Sequence, residues 1–347
     1  MREAALITKL TGLLPRSAAQ LNRVFEADAE LVRLGGEVYG FTTDEYNPHE
    51  DYFSSFVPET LGFNVVTCTV SDLLAAGVRP GFFLHAMTLP RDATDLFCEQ
   101  FFAGIKLGLE AAGCALIGGD TSTAETWSYV GTAFGVAARP LLRSGAQVGD
   151  RIYASGPFGS GNRQALLLLL MAGGQLADSK EQRATASPRF ASRRAQAELT
   201  WPYARFAIDS SDGYINSFAC LAEVNPNVGF ALELDASLVD PTTQAVARGL
   251  GMPPEVMLLG SAGEYELVYG IAKDSEHAFL AALAASGHEA LYVGEVIAVP
   301  GLHVHAAGGR TSLSAAELPD ARALDRQTYI AQLQALVGRL LPVTART

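Results

Sequence analysis

Strand patterns and helix patterns alternate along the whole chain, and this alternation restricts the fold more than any other feature. Residues 82–89 alternate as a strand does, whereas residues 95–112 carry an apolar face with helical spacing and stop at a glycine. A new strand pattern at residues 151–155 opens a second half built in the same style. The elements lack a regular strand–helix–strand rhythm, so the sequence predicts an α+β protein with mixed layers. We predict two mixed α/β domains, residues 1–148 and 149–347.

Four further segments give predictions that the structure can test. Residues 1–22 form an amphipathic pattern that predicts a helix, and residues 114–118 predict a short buried strand that delivers Gly119-Asp120-Thr121. Residues 180–185 are polar and predict a loop. The glycine-rich segment 156–161 predicts a tight turn between a strand and a helix.

Size and charge exclude several functional classes. The chain has 347 residues, 49% of them hydrophobic, and a formal net charge of −12. This charge argues against a nucleic-acid surface, which needs clustered lysines and arginines. The N-terminal 20 residues show no secretion signal, and the most apolar run, residues 165–171, is too short for a bilayer span of about 20 residues. Scattered cysteines give no metal or disulfide pattern, so we expect a reduced, cytoplasmic protein.

Aspartates recur where a strand or turn pattern gives way to a loop or helix. They stand in the segments Thr42-Thr43-Asp44, Ser71-Asp72, Gly118-Gly119-Asp120-Thr121 and Asp209-Ser210-Ser211-Asp212-Gly213. Each aspartate taken alone fits a helix cap, a turn or a polar helix face. Together they predict one pocket that binds Mg²⁺ and a triphosphate, because Mg²⁺ prefers carboxylate, phosphate and water oxygens. The absence of histidine or cysteine ligands from these segments favours magnesium over zinc or copper.

Two other features concern phosphate binding. The turn at 156–161 lacks the Gly-Lys-Ser/Thr ending of a P-loop, so a Walker-type NTPase is excluded on motif grounds. Arg143 is a candidate phosphate clamp, although a solvated surface arginine is the simpler interpretation of it alone. His49 lies near the carboxylates in sequence and is a candidate substrate contact, whereas His85 is interpreted as a core or interface histidine.

Seven segments, in this order along nearly the whole chain, resemble those of thiamine-monophosphate kinases. They are the four aspartate segments together with Arg143-Ser-Gly-Ala-Gln-Val-Gly149-Asp150, Ser187-Pro188-Arg189 and Gly263-Glu-Tyr-Glu-Leu267. Those kinases share a superfamily with aminoimidazole-ribonucleotide synthetase, selenophosphate synthetase and a hydrogenase maturation dehydratase. The resemblance implies a homodimer whose N-terminal domains pair into a β-barrel, with ATP near the subunit interface.

The resemblance also implies roles for individual residues. It implies that magnesium is ligated by oxygen-bearing side chains at Asp28, Thr43, Asp44, Asp72, Asp120, Asp209 and Asp212. It implies that ATP lies against Gly119, Asp120, Thr121, Arg143 and Ser211. Phosphoryl transfer depends on positioning and charge neutralisation, so catalysis is expected to rest on Asp44, Asp120, Arg143 and Asp212.

The acceptor half of the site departs from the family pattern. Gly263 stands where the family carries a substrate-contacting acid, and Arg326 stands where it carries a tryptophan that would stack on thiamine. Tyr52 replaces a histidine of the pattern, with His49 nearby, and Glu264 is placed to supply the missing acid. The candidate acceptor contacts are therefore His49, Tyr52, Glu264 and Arg326. An arginine repels a cationic ring and pairs with an anion, so we expect an acceptor that carries negative charge.

Three functions remain open from the sequence. The first is an ATP- and Mg²⁺-dependent kinase acting on thiamine monophosphate or another small-molecule acceptor. The second is an ATP-dependent ligase or dehydratase that phosphorylates an amide or carboxylate oxygen. The third is a nucleotide-binding homologue without turnover. No nucleic-acid or membrane partner is expected.

Overall fold

The computed structural model describes residues 3–48, 56–306, 309–319, 324 and 326–341. They form two β-sheets with helices packed on them. The first part of the chain forms a five-stranded sheet, and the second part forms a seven-stranded sheet. The predicted mixed α/β architecture is confirmed. Neither sheet closes into a barrel within these residues, so the dimeric barrel stays a prediction. The boundary between residues 148 and 149 also stays a prediction; the last strand of the first sheet ends at Ala137.

The first sheet has the strand order β1-β2-β5-β3-β4, in which only β3 and β4 pair in parallel. Its elements are α1 (Glu3–Thr11), β1 (Glu30–Leu34), β2 (Glu37–Tyr46), α2 (Pro58–Ala75), β3 (Val78–Pro90), α3 (Asp95–Ala112), β4 (Ala115–Ala124) and β5 (Ser128–Ala137). Helices α2 and α3 pack together on one face, which we call the covered face. The opposite face, with Phe41, Phe82 and Phe134, is the open face.

Close packing of α2 against α3 fixes the position of α2 on the sheet. A Cβ atom at Gly104 of α3 would lie 1.9 Å from the carbonyl oxygen of Glu59 in α2, so only glycine allows this approach. α2 is buried along most of its length because the sheet lies on its other side. The packing holds the last turn of α2, with Ser71 and Asp72, against strand β2.

The second sheet has the order β12-β11-β8-β10-β6-β9-β7. Its strands are β6 (Arg151–Ala154), β7 (Ala204–Asp209), β8 (Gly229–Glu233), β9 (Leu267–Ile271), β10 (Leu291–Ile297), β11 (Gly301–Ala306) and β12 (Gly309–Leu313). The helices are α4 (Ser160–Ala172), α5 (Lys180–Thr185), α6 (Arg194–Thr200), α7 (Tyr214–Val224), α8 (Pro241–Gly249), α9 (Glu276–Ala285) and α10 (Arg326–Leu340). No helix in the described residues is long and apolar enough to span a membrane.

Three sequence predictions were wrong in detail. The predicted helix over residues 1–22 ends at Thr11, because Gly12 and Pro15 follow and the chain then pairs with β1 at Gln20 and Val32. Residues 180–185 form α5 rather than a loop, since the Ser179 side chain accepts a hydrogen bond from the backbone N–H of Gln182 and caps the helix.

Strand β4 also differs from its prediction. It is an edge strand, exposed along nearly its whole length, and not a buried strand. It continues through Gly119-Asp120-Thr121 to Ala124, so these residues lie within the strand rather than after it. Edge strands with a free hydrogen-bonding side are places where other chains or ligands bind.

Candidate functional site

Three carboxylates from separate parts of the chain meet beside the end of α2. Asp28 precedes β1, Asp72 lies in the last turn of α2, and Asp209 ends β7; one oxygen of each lies within 4.8 Å of the others. All three are among the residues that were predicted as metal ligands from the sequence. The fold therefore brings together acids separated by up to 181 positions along the chain.

Hydroxyl groups hold two of these carboxylates in place. Thr42 Oγ1 donates to Asp72 Oδ2 at 2.6 Å, and Ser71 Oγ donates to Asp209 Oδ2 at 2.7 Å. Ser211 Oγ donates to Asp209 Oδ1 at 2.9 Å. Each donor stands one or two residues from an aspartate in sequence, which is the signal by which it could have been found. These bonds fix the direction in which the remaining lone pairs point.

Arg143 pairs with Asp28 in a buried ion pair. Arg143 Nη2 and Nε donate to the same oxygen, Asp28 Oδ1, at 2.6 and 3.1 Å. Burial works against the charge of Arg143, but Asp28 outweighs it, so the pKa of Arg143 is raised. The other oxygen, Asp28 Oδ2, is buried and has no hydrogen-bond partner within the described part of the chain. A buried carboxylate oxygen without a partner is costly, and a cation would satisfy it.

Burial and mutual repulsion oppose the ionisation of the other two acids. The pKa of Asp72 is well above its ordinary value because of burial first, then the charges of Asp44, Asp209 and Asp28. Burial, with the charge of Asp28, raises the pKa of Asp209 to about 7. One arginine does not neutralise this group of acids. A divalent cation with hard-oxygen preference fits the donor set, which consists of carboxylate oxygens alone.

Asp44, Asp212 and Thr43 lie around this cluster without joining it. Asp44 stands two residues after Thr42 on β2, on the covered face, and its charge acts on Asp72. Asp212 is exposed and lines a cavity beside Asp28. Thr43 lies on the open face, where its Oγ1 is 3.0 Å from that of Thr132. Their roles as metal ligands stay predictions.

The predicted ATP segment on β4 is separate from the three carboxylates in a single chain. Asp120 pairs with Ala86 and is exposed on the open face, whereas Gly119 and Thr121 lie on the covered face. β4 is three strand spacings from β2, or about 14 Å at about 4.8 Å per strand. Asp120 is therefore not a member of the carboxylate cluster, and ligation by it stays a prediction that requires a second metal position.

A cavity of about 640 Å³ opens beside the cluster. Cys220 and Val224 of α7 belong to its wall, and its charged lining consists of Arg16, Asp28, Glu30, Arg143, Asp212 and Glu223. The N-terminal segment contributes Ile7, Thr11, Leu14, Val24 and Phe25. The sequence predicted roles for Asp28, Arg143 and Asp212, but not for the apolar residues of the N-terminal segment, which lie in no polar motif.

Glu264 has a structural role in this chain. Its carboxylate accepts hydrogen bonds from the backbone N–H groups of Gly161 and Asn162, both at 3.1 Å, and from Asn162 Nδ2 at 2.8 Å. Burial raises the pKa of Glu264 to about 7, against these hydrogen bonds, which lower it. The carboxylate thus occupies the first turn of α4, so the glycine-rich segment is a turn closed by a protein acid. A substrate contact by Glu264 stays a prediction that this placement does not favour.

The structure says less about the other residues predicted to contact the acceptor. His49 and Tyr52 lie outside the described residues. Arg326 is the first residue of α10. Gly263 packs against the loop that follows β7, since a Cβ there would lie 2.7 Å from the carbonyl oxygen of Ser211. This contact gives a steric reason for the missing acid.

The fold and this site define a class of protein. Residues 26–137 match the family model described as AIR synthase related protein, N-terminal domain. This match covers the first sheet with α2 and α3, and includes Asp28 and Asp72. The first sheet, with α2 and α3, thus matches the AIR synthase-related N-terminal domains.

Comparison with whole proteins identifies the family within that class. The thiamine-monophosphate kinase of Pyrococcus horikoshii is 30% identical over 254 residues, which are 73% of this chain and 79% of that protein. The thiamine-monophosphate kinase structure from Stenotrophomonas maltophilia K279a is 25% identical, with a TM-score of 0.66 over 88% of this chain and 96% of that one. A structure described as AaThiL complexed with AMPPCP and TMP is alike in fold, with a TM-score of 0.72 at 24% identity over 87% and 93%. The chain belongs to the thiamine-monophosphate kinase family, which is a family of ATP-dependent phosphotransferases.

Proposed function

We propose that this protein transfers a phosphoryl group from Mg²⁺-bound ATP to a small-molecule acceptor. The observation that carries the proposal is the close group of Asp28, Asp72 and Asp209, with an Asp28 oxygen that has no hydrogen-bond partner among the described residues. A site of this kind attracts a cation strongly and a free polyphosphate poorly. The relative described as AaThiL was solved with AMPPCP and TMP, which supports a nucleotide and a phosphorylated acceptor as the two ligands.

The position of each residue suggests its part in binding the metal or the phosphates. Asp28, Asp72 and Asp209 would hold Mg²⁺. Asp44, whose charge acts on Asp72, and Asp212, which lines the cavity, would be further ligands. When bound, the metal neutralises charge on the phosphates. Arg143 fixes Asp28 and leaves its guanidinium edge beside the cavity, where it would contact a phosphate oxygen. No general base is required if the acceptor is itself a phosphate anion, so positioning accounts for the catalysis.

We also propose that the acceptor carries negative charge. Thiamine monophosphate is the first candidate from the family, and its phosphate meets this condition. The missing acid at Gly263 and the arginine at position 326 argue against strong recognition of the cationic thiazolium ring. Another phosphorylated small molecule is therefore the second candidate.

A homodimer through the first sheet is part of the same proposal. The open face carries Phe41 stacked on Phe134 at 5.5 Å and Phe82 at 5.2 Å from Phe134, with Phe82 45% exposed. An apolar sheet face with this exposure is typical of an interface. Pairing of two such faces is consistent with the barrel that the resemblance implies.

Turnover by the purified protein tests the function. ATP, Mg²⁺ and a panel of acceptors, including thiamine monophosphate and other phosphate monoesters, would be followed for ADP, inorganic phosphate and phosphorylated product. A kinase gives ADP and a stable phosphorylated acceptor in equal amounts. Release of inorganic phosphate that depends on a second substrate would instead support a ligase or dehydratase. Arg326→Trp is expected to improve turnover of thiamine monophosphate relative to the other acceptors, and an unchanged ratio would refute the acceptor proposal.

A further inference from the structure

Asn225, the residue that follows helix α7, binds the segment that carries Arg143. Its amide oxygen Oδ1 accepts hydrogen bonds from the backbone N–H groups of Gly145 and Ala146, at 3.0 and 3.1 Å. Its amide nitrogen Nδ2 donates to the carbonyl oxygen of Arg143 at 2.9 Å and to that of Leu221 at 2.8 Å. Asn225 is buried. Three of these four hydrogen bonds therefore join α7 to the Arg143 segment, which lies far from α7 in sequence.

These contacts require an acceptor and a donor on one short side chain. The oxygen of an asparagine amide accepts two hydrogen bonds and its nitrogen donates two, so all four are used here. An ionised aspartate at position 225 would have no donor for the carbonyl of Arg143, and an alanine would leave the two N–H groups without this acceptor. A fully satisfied buried amide holds its partners in one arrangement. Asn225 is therefore suited to fix the backbone on the C-terminal side of Arg143.

The Arg143 segment has no regular secondary structure to hold it. Residues 138–150, all of which the structure describes, lie between β5 and β6 and contain no helix or strand. Gly145 adopts a left-handed conformation at φ 98°, so the chain turns directly after Arg143 and Ser144. A segment without helix or strand bonds depends on contacts from other elements for its position. The hydrogen bonds from Asn225 supply such contacts.

Both sides of the Arg143 backbone are held. Its N–H group donates to the carbonyl oxygen of Glu26 at 2.7 Å, and its carbonyl oxygen accepts from Asn225. Glu26 stands two positions before Asp28, which binds the Arg143 guanidinium at 2.6 Å. The Arg143 side chain is 17% exposed and that of Asp28 is 1% exposed. Because this ion pair is enclosed, a small shift of the Arg143 backbone would move the guanidinium relative to both Asp28 and the cavity.

Helix α7 also connects this segment to the acidic loop after β7. It begins at Tyr214, directly after Asp212 and Gly213, and ends one residue before Asn225. Asp212 lines the cavity from the start of the helix, and Val224 lines it from the end. Asn225 is not among the described residues that line the cavity. Any effect of Asn225 on the reaction would therefore pass through a neighbouring residue.

We propose that Asn225 is a positioning residue for phosphoryl transfer, which fixes the backbone of Arg143 so that the guanidinium holds Asp28 and faces the phosphates of ATP. This inference rests on the proposed function, in which Arg143 contacts a phosphate oxygen. Asn225 acts through Arg143 and has no contact of its own with the substrates.

A double-mutant cycle tests whether Asn225 acts through Arg143. ADP release would be measured for wild type, Asn225→Ala, Arg143→Met and the double variant. We expect Asn225→Ala to lower kcat/KM about tenfold, because a misplaced phosphate contact slows the transfer. In the Arg143→Met background the same change should have an effect of less than about twofold, since the arginine that Asn225 positions is gone. Asn227→Ala, at an exposed position two residues further on, is the matched control and should leave kcat/KM unchanged.

A spectroscopic measurement gives a readout that does not depend on turnover. The Nε–H group of Arg143 donates to Asp28, and its ¹H–¹⁵N signal is assigned by its loss in Arg143→Met. Asn225→Ala should shift this signal and speed its exchange with solvent, whereas Asn227→Ala should do neither. Thermal unfolding would show that each variant is folded at the temperature used. If Asn225→Ala does not fold, Asn225→Asp replaces it, because aspartate keeps an acceptor for the two N–H groups and loses the donor to Arg143.

The outcomes separate this inference from the proposed function. An unchanged Arg143 signal in the Asn225 variant would refute the inference. A loss of kcat/KM in the double variant equal to the product of the two single losses would show that Asn225 acts independently of Arg143, and would also refute it. Wild-type protein that transfers no phosphoryl group to any acceptor would refute the proposed function and the catalytic part of the inference. The Arg143 signal would still decide whether Asn225 fixes Arg143.

Discussion

Replacing Asp209 with asparagine should stabilise the metal-free protein at alkaline pH while removing its response to magnesium. Asp209 is 1% exposed and lies within 4.8 Å of Asp28 and Asp72. Burial and the charge of Asp28 raise its pKa to about 7, whereas an aspartate in the unfolded chain titrates near about 4. Between these values the folded protein binds more protons than the unfolded chain. Stability therefore falls as pH rises from about 4 to about 7, and stays low above that.

The expected change in the free energy of unfolding follows from the difference between the pKa of Asp209 in the folded protein and in the unfolded chain. About three pKa units at about 1.4 kcal/mol each set an upper limit of about 4 kcal/mol of destabilisation above pH 7. Asparagine removes the charge but is a weaker acceptor of the hydrogen bonds from Ser71 and Ser211. This weakening costs about 1 kcal/mol. A net gain of about 2–3 kcal/mol corresponds to an increase of about 5–10 °C in the unfolding temperature of a domain of this size.

Thermal unfolding of wild type and Asp209→Asn at pH 5 and pH 8, with EDTA or with Mg²⁺, measures this effect. We expect the variant to be more stable at pH 8 in EDTA and to have no such advantage at pH 5. Mg²⁺ should raise the stability of the wild type and have little effect on the variant. Asp274→Asn, at an exposed position, is the control and should behave as wild type. Equal stability of Asp209→Asn and wild type at pH 8 in EDTA would show that the carboxylates do not repel one another as described.

Three other outcomes follow from the structure. Arg143→Met frees Asp28 and removes a charge beside the cavity, so phosphoryl transfer measured by ADP release should fall about 100-fold; activity within twofold of wild type would exclude a role for Arg143. Gly263→Glu should lower the unfolding temperature, because its Cβ would lie 2.7 Å from the carbonyl oxygen of Ser211; an unchanged temperature would show that the loop accommodates a side chain. Phe134→Asp on the open face should convert a dimer to a monomer in sedimentation velocity, and a monomeric wild type would contradict the proposed interface.

Local signals explain which elements the sequence predicted well. Helix α3 begins and ends where predicted, because Thr94 caps its first turn through Phe97 and Gly113 adopts a left-handed conformation at φ 63°. The cap of α5 at Ser179 is the same kind of signal, yet the polar composition of 180–185 led to a loop prediction. Strand β4 was predicted as buried from its apolar start, but exposure depends on position in the sheet, which sequence periodicity does not specify.

The candidate site shows the same division between local and tertiary information. The sequence identified Asp28, Asp72 and Asp209 as acids of interest, and the structure brings these three together. It also grouped Asp120 with them, although this residue lies on the opposite face and three strands from β2. A one-residue difference in strand register moves a side chain to the opposite face of the sheet. A motif alone therefore cannot decide whether an aspartate belongs to the carboxylate cluster. The motif that predicts Glu264 as a substrate residue does not show that its carboxylate accepts hydrogen bonds from the first turn of α4, and the substrate contact stays a prediction.

The acid at the first turn of α4 has a consequence for how the protein distinguishes forms of its nucleotide. Many phosphate-binding proteins attract the anion with the free N–H groups of a helix start, but here Glu264 already takes those of Gly161 and Asn162. Acids outnumber arginines in the lining of the cavity beside the carboxylates, where Asp28, Glu30, Asp212 and Glu223 accompany Arg16 and Arg143. Under the proposed function, most of the attraction for a triphosphate would then come from the bound metal. Uncomplexed ATP would then bind more weakly than its magnesium complex, and occupancy of the site would follow the concentration of that complex rather than that of total nucleotide.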